Sequence, residues 1–310
     1  MRLAAAFSVL LEWELKQVAQ KKEQPFHPWQ ELNGQPGLES AVQPGPRAQN
    51  GKRQTLRRLE DKVALVTGGD SEIGRAVAIA FAHEGADVAI VYRNEHEDAE
   101  ETKRLVASER RRCLTVAGDV GDETFCKTAI EATIQEFGRL DILVNNSAEQ
   151  NPREKIEDIS AGQIEQTFRT SILSFFYMTE AALEHLSEGS SIINTASMNG
   201  YWDCSDVDDP DPVDYSAIKD AIVVFTRSLA KALAQRNIRV NAIAFGPIAA
   251  HRALSTYLPE KVGPAKMDTT SVRSSEPAEV APNYVFLASG DGAYFTGQVL
   301  NPNSGEVVNA

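Results

Sequence analysis

Tyr215 and Lys219 stand four residues apart in Asp214-Tyr215-Ser216-Ala217-Ile218-Lys219-Asp220. No Pro or Gly interrupts Tyr215 to Arg236, and the run is rich in Ala, Leu, Ile and Val, so the pattern predicts a helix. On a helix such a pair shares one face. A free phenol titrates near ~10, and a fixed ammonium beside it favours the phenolate. Bringing that titration close to neutrality takes roughly 4 kcal/mol, within reach of a close charge and a buried site. A phenol so tuned can exchange a proton with an alcohol or a carbonyl. By itself Tyr-x-x-x-Lys is mostly a chance pairing. It gains meaning only if a nucleotide-binding turn and a polar strand end lie upstream, and both do.

Those features need elements to hold them. Short β-branched runs suit buried parallel strands: Val63–Val66, Val88–Val91, Leu114–Val116, Ile142–Val144, Ile192-Ile193 and Val240–Ile243. Helical stretches alternate with them, at Ile73–His83, Glu97–Glu109 and Asp122–Phe137. This alternation predicts an α/β fold: a parallel sheet covered on both faces, doubly wound by right-handed crossovers. Ligands of such sheets collect at the carboxyl ends of the strands.

The first strand runs into Thr67-Gly68-Gly69-Asp70-Ser71-Glu72-Ile73-Gly74, with a helix directly behind. A glycine turn there lets backbone N–H groups and a helix N-terminus meet a pyrophosphate. The second strand ends at Tyr92-Arg93, where the adenine ribose of a dinucleotide should lie. A guanidinium in that place suits a 2′-phosphate and favours NADP over NAD, although Glu95, Glu97 and Asp98 follow closely. Asp119-Val120 and Asn145-Asn146-Ser147-Ala148 follow the third and fourth strands. Ser197 closes the fifth, 18 positions before Tyr215, and Gly246-Pro247-Ile248 follows the sixth.

Composition narrows the possibilities. The 310 residues carry a net charge of -13: residues 1–60 are +3 and the remainder -16. So acidic a domain repels phosphate backbones, which argues against a nucleic-acid partner. Cys113, Cys126 and Cys204 have no metal spacing, and one is left over in any disulfide scheme, as for reduced thiols in a cytoplasmic protein. The five histidines likewise lack ligand spacing, so no metal is expected. Leu3–Leu11 is too short to span a bilayer and runs into Glu12-Trp13-Glu14. It reads as an amphipathic or disordered extension, with secretion as the alternative. Gln24–Asn50 is rich in Gln, Pro and Gly and reads as an arm or linker. Residues 1–58 are therefore expected to form an extended N-terminal arm, and 59–310 a single domain.

Lys62–Ser71, Asp141–Asn146, Asp214–Ala217 with Lys219, Pro277–Pro282 and Thr296–Leu300 together resemble the short-chain dehydrogenase/reductase family. Within it the chain is most similar to the branch of glucose and ribitol dehydrogenase homologues, from Leu59 to Ala310. The resemblance implies a Rossmann-type fold and an NAD(P)-dependent oxidoreductase acting on an aldehyde, ketone or polyol. It implies Tyr215 as acid/base, Lys219 tuning it and holding the nicotinamide ribose, and Ser197 orienting the substrate oxygen. Gly68, Ser71, Ile73 and Gly74 would cradle the pyrophosphate, and Asp119 and Val120 would contact adenine. Asn145, Asn146, Ser147 and Ala148 would line the ribose, and Gly246, Pro247 and Ile248 would seat the carboxamide. It also implies a homotetramer, and Ile172–Met178 and Ala221–Phe225 are apolar on more than one helix face.

The chain departs from the family pattern in places. Glu72 and Ser304 stand where the family has glycine, and Ser171 stands for an Asn that helps hold a proton-relay water. Ile218, Asp220, Phe245 and Ala250 also differ from the branch. The segment between Ser197 and Tyr215 is longer than usual and holds six aspartates within Tyr201–Asp214. It lacks the Gly and terminal Glu of a calcium loop, so a solvated acidic loop is expected, either at the mouth of the substrate pocket or folded away from it and aiding solubility. Three readings stay open: an active reductase, a binding-only relative with weakened catalysis, and an epimerase or dehydratase on the same fold.

Overall fold

The β-branched runs become seven parallel strands in one sheet, ordered β3-β2-β1-β4-β5-β6-β7. In the computed structural model the described residues are 56–149, 156–198, 213–246, 248 and 275–305. The strands are β1 Val63–Thr67, β2 Asp87–Tyr92, β3 Cys113–Ala117, β4 Ile142–Asn145, β5 Ser191–Thr195, β6 Arg239–Ile243 and β7 Val299–Leu300. The helices are α1 Glu72–His83, α2 His96–Ser108, α3 Glu123–Phe137, α4 Ala161–Phe168, α5 Ser174–Leu183, α6 Val213–Leu233 and α7 Pro277–Ala288. The strand order reverses between β1 and β4, which opens a crevice at their carboxyl ends.

Strand side chains alternate between two cores. Ala64, Val66, Val88 and Ile90 face α1, α2 and α7, meeting Val77, Phe81, Val106 and Tyr284. Leu65, Ala89, Val91 and Leu143 face α3, α5 and α6, meeting Ile130, Met178 and Leu233. Leu59 is packed into the first core. A third cluster, Ile172, Phe175, Ile218, Ile222 and Ala242, lies under the first half of α6. Ile218, one of the departures, is thus a core residue.

The expected helices appear with small shifts. Asp122 caps α3 rather than opening it, accepting from the N–H groups of Thr124 and Phe125. The predicted helix from Tyr215 starts two residues earlier and gives way to a 3₁₀ turn at Ala234–Arg236. Between α4 and α5 the chain widens into one π-helical turn, Arg169–Leu173, which nothing in the apolar pattern announces. The arm to residue 55, most of the acidic loop (199–212), Pro247, Ala250 and Cys204 lie outside the described residues.

Candidate active site

The glycine turn is fastened from two sides. The N–H groups of Gly68 and Gly69 both donate to the Val91 carbonyl, at 2.7 and 3.2 Å. From β4, the amide of Asn146 donates to the carbonyls of Thr67 (3.0 Å) and Gly68 (3.3 Å). The Thr67 hydroxyl accepts from the backbone N–H groups of Asn146 and Ser147. Gly68 sits at φ 63°, a conformation open to glycine. A Cβ on Gly74 would stand 1.8 Å from the Gly68 carbonyl oxygen, so the helix meets the turn without room for a side chain. Ser71, the N-cap of α1, makes no side-chain capping bond. The positive end of that helix is therefore left without a side-chain cap, and Glu72 is the acidic residue of its first turn.

This cradle fits a dinucleotide pyrophosphate, contributed by backbone rather than side chains. Ile73 accordingly points into the core. Glu72 adopts φ 51°, so the chain keeps the glycine-like backbone where the family has glycine.

Beyond the end of β2, Arg93 lies 3.8 Å from Asp119, and both side chains are about half exposed. So loose a surface pair leaves the guanidinium available to a stronger anion. Asp119 also accepts from the Gly121 N–H at 2.7 Å. Tyr92 and Val120 are placed differently from a side-chain ligand. Tyr92 is packed into the core with its hydroxyl 2.9 Å from His96 Nδ1, and burial raises its pKa. Val120 belongs to the opposite core. Either could meet a ligand only through its backbone.

The side chain of Asn145 is tied into the sheet. Its side chain lies on the inner face of β4, where its amide donates to Asn194 at 3.0 Å and to Thr179 at 3.4 Å. Asn194 in turn donates to Thr226 on α6. This buried polar column ties β4 to β5 and α6, whereas Ser147 and Ala148, in the loop after β4, are half-buried. Ser171, fully buried in the π turn, accepts the Glu149 N–H at 2.9 Å. Its hydroxyl oxygen thereby tethers the loop after β4. The Glu149 carboxylate accepts from Gln166 and Thr170.

Strand β5 and helix α6 bring the remaining groups together. Ala196 and Met198 donate their N–H groups to Ile243 and Phe245, so Ser197 is held between two backbone bonds to the β6 strand end. Lys219 is only 1% exposed, and its ammonium donates to the Thr195 carbonyl at 3.0 Å. The same nitrogen lies 5.2 Å from the centre of the Tyr215 ring. Asp214 fixes the start of α6: one carboxylate oxygen accepts from the Tyr215 N–H, the other from Gln163 on α4. Gly246 approaches the C-terminal loop, its N–H 3.3 Å from the Pro302 carbonyl, and Ile248 pairs with Ser275. Asp214, Gln163 and Thr67 were not among the expected site residues. For Thr67 the signal was present, since it closes a strand at the crevice.

Among the described residues no cluster could hold a metal ion, and no helix is long and apolar enough to cross a membrane. Cys113 and Cys126 are free thiols pushed up to about 12 by burial, so neither is a nucleophile near neutrality.

Comparison with known proteins agrees with this architecture. A family model described as Enoyl-(Acyl carrier protein) reductase matches residues 68–306. The chain is 43% identical over 288 residues to NADPH-dependent aldehyde reductase 1, chloroplastic, of Arabidopsis thaliana, covering 91% of this chain and 98% of that protein. It is 41% identical to the glucose and ribitol dehydrogenase of Daucus carota, covering 91% and 97%. A crystal structure of a short chain dehydrogenase from Burkholderia cenocepacia J2315 in complex with NADP superposes with a TM-score of 0.71 at 28% identity. That match covers 80% of this chain and 98% of the other. The family match over most of the chain and the likeness in sequence and fold agree: the chain belongs to the short-chain dehydrogenase/reductase family and is an NAD(P)-dependent oxidoreductase.

Proposed function

We propose that this oxidoreductase works with NADP(H) and interconverts aldehydes or ketones with their alcohols, using Tyr215 as its acid/base. One observation carries the reading: a Lys219 ammonium buried beneath the Tyr215 ring, at the strand end that also presents Ser197. When bound, the dinucleotide supplies or accepts the hydride. The chain handles the proton. In reduction the Tyr215 hydroxyl gives its proton to the substrate oxygen, while the Ser197 hydroxyl donates a hydrogen bond to the same atom. The Lys219 charge favours the phenolate that remains and can hold the nicotinamide ribose. The relatives named as an aldehyde reductase and as a glucose and ribitol dehydrogenase support small carbonyl compounds and polyols as substrates. A binding-only role is not favoured.

NADP is preferred in this reading because Arg93 stands at the end of β2, held only by Asp119 at 3.8 Å. The working form is proposed to be a homo-oligomer, a tetramer as in the family. Phe176 on α5 is 50% exposed and Val224 on α6 62%, and Phe176 stacks on Phe225 at 4.4 Å between ring centres. Such an apolar face suits a second copy of the chain. A cytoplasmic site of action is proposed from the free thiols and the absence of metal or disulfide spacing in the sequence.

The deciding experiment titrates the protein with NADPH and NADH by nicotinamide fluorescence, then assays aldehydes, ketones and polyols with both. Enhancement with NADPH and turnover of at least one carbonyl class are expected. Neither cofactor binding would overturn the reading. Light scattering that gives a monomer at micromolar concentration would remove the oligomer.

A further inference from the structure

Directly behind the glycine turn lies a buried polar cluster that the proposed reaction does not use. The guanidinium of Arg75, on the first turn of α1, folds back onto the Asp70 carbonyl, with Nε at 3.0 Å and Nη2 at 2.6 Å. The same carbonyl accepts the hydroxyl of Thr102 from α2 at 3.0 Å. Arg75 Nε also donates to that Thr102 oxygen at 3.0 Å, and Nη2 donates to the carbonyl (3.1 Å) and carboxylate (3.3 Å) of Asp98. Asp70, Arg75, Asp98 and Thr102 are all buried. One backbone oxygen of the turn thus receives three side-chain donations.

The four residues between the ends of this bridge, Ser71 to Gly74, include Glu72 at φ 51°. A side chain with a Cβ is disfavoured in that region and persists only where its surroundings over-determine it. The Arg75-to-Asp70 bridge is such a constraint, because it fixes both flanks of the left-handed residue. It also reaches α2, which begins three residues after Arg93. The cluster therefore joins the pyrophosphate turn to the segment carrying the group proposed to read the 2′-phosphate.

We propose that Arg75 is a positioning residue for the dinucleotide: with Thr102 and Asp98 it holds the 68–74 turn in its phosphate-receiving shape despite Glu72. The inference rests on the cofactor reading above. Glycine at position 72 would adopt the same backbone unaided. The clamp and a glycine are then two solutions to one problem, and each should make the other less necessary.

The test compares wild type, T102V, R75K, E72G and the doubles T102V/E72G and R75K/E72G. T102V keeps volume and removes the hydroxyl that donates to Asp70 and accepts from Arg75; R75K keeps the charge opposite Asp98 but loses the fork. Fluorescence titration with NADPH, without substrate, should show about fivefold weaker binding for T102V, and a larger loss for R75K. Adding E72G should return most of the affinity in both. In T102V the NADPH KM should rise while kcat and the carbonyl KM hold. Amide hydrogen exchange of the cofactor-free protein should quicken within 68–74 in T102V and slow again in the double. Equal NADPH affinity in wild type, T102V and R75K overturns the clamp, as does a loss that E72G leaves unrepaired. Wild type that binds neither dinucleotide overturns the cofactor reading along with it, whereas the exchange data still report on the clamp alone.

Discussion

Two strand-to-helix junctions on the same sheet edge, β1–α1 and β3–α3, are built in opposite ways. At β3–α3 the chain satisfies itself: Asp119 accepts from Gly121, and Asp122 caps α3 through two backbone N–H groups. At β1–α1 the capping position belongs to Ser71, which makes no such bond. There the side chains that bond, Asn146, Arg75 and Thr102, come from outside the turn or reach over it, and they hold its carbonyls. A closed junction needs no ligand and adds stability. An open one leaves its capping position unfilled and must be braced from elsewhere. The difference separates a structural turn from a binding turn more clearly than the glycines do, since both junctions have them.

Five substitutions probe this division. The largest effect belongs to the group outside both turns: Tyr215→Phe should lower kcat/KM by at least ~10²-fold while NADPH binding holds. Retention of most of the wild-type rate would remove Tyr215 as the acid/base. Arg93→Gln should weaken NADPH by about tenfold and leave NADH unchanged, which titration of both cofactors measures. An equal loss with both would make Arg93 a mere structural charge.

The junctions themselves are then compared directly. Asp122→Ala should cost about 1 kcal/mol in urea unfolding and leave NADPH affinity alone. Ser71→Ala should do the reverse, leaving stability unchanged and weakening NADPH. Were Ser71→Ala the one to destabilise, α1 would be capped like any other helix. The smallest effect is expected at Ser304, which adopts φ 63° where the family has glycine. Ser304→Gly should gain at most about 1 kcal/mol, read from the unfolding midpoint, with no change in turnover.

The glycine turn, the Tyr215–Lys219 pair and Ser197 were legible because each depends on local pattern: a strand end, a helix register, a polar residue closing an apolar run. The side-chain role of Asn145 was not legible, because only the register of β4 on β5 shows that its amide meets Asn194. The π turn around Ser171 was equally hidden, since α4 and α5 continue the same apolar pattern across it. Strand β7 is two residues long and gains its identity only by pairing with β6.

What this sequence determined by itself was the alternation of strands and helices, the doubly wound order that follows from it, and the residue types at the strand ends. Those follow from side-chain periodicity and backbone preference, which act over a few residues. What the tertiary structure decided was which of those residues face the crevice. Thr102 reaches Asp70 across 32 positions, Asn146 reaches Thr67 across 79, and Lys219 finds the Thr195 carbonyl across 24. Such bonds have no sequence period, because the geometry that makes them is set by packing of whole helices on the sheet.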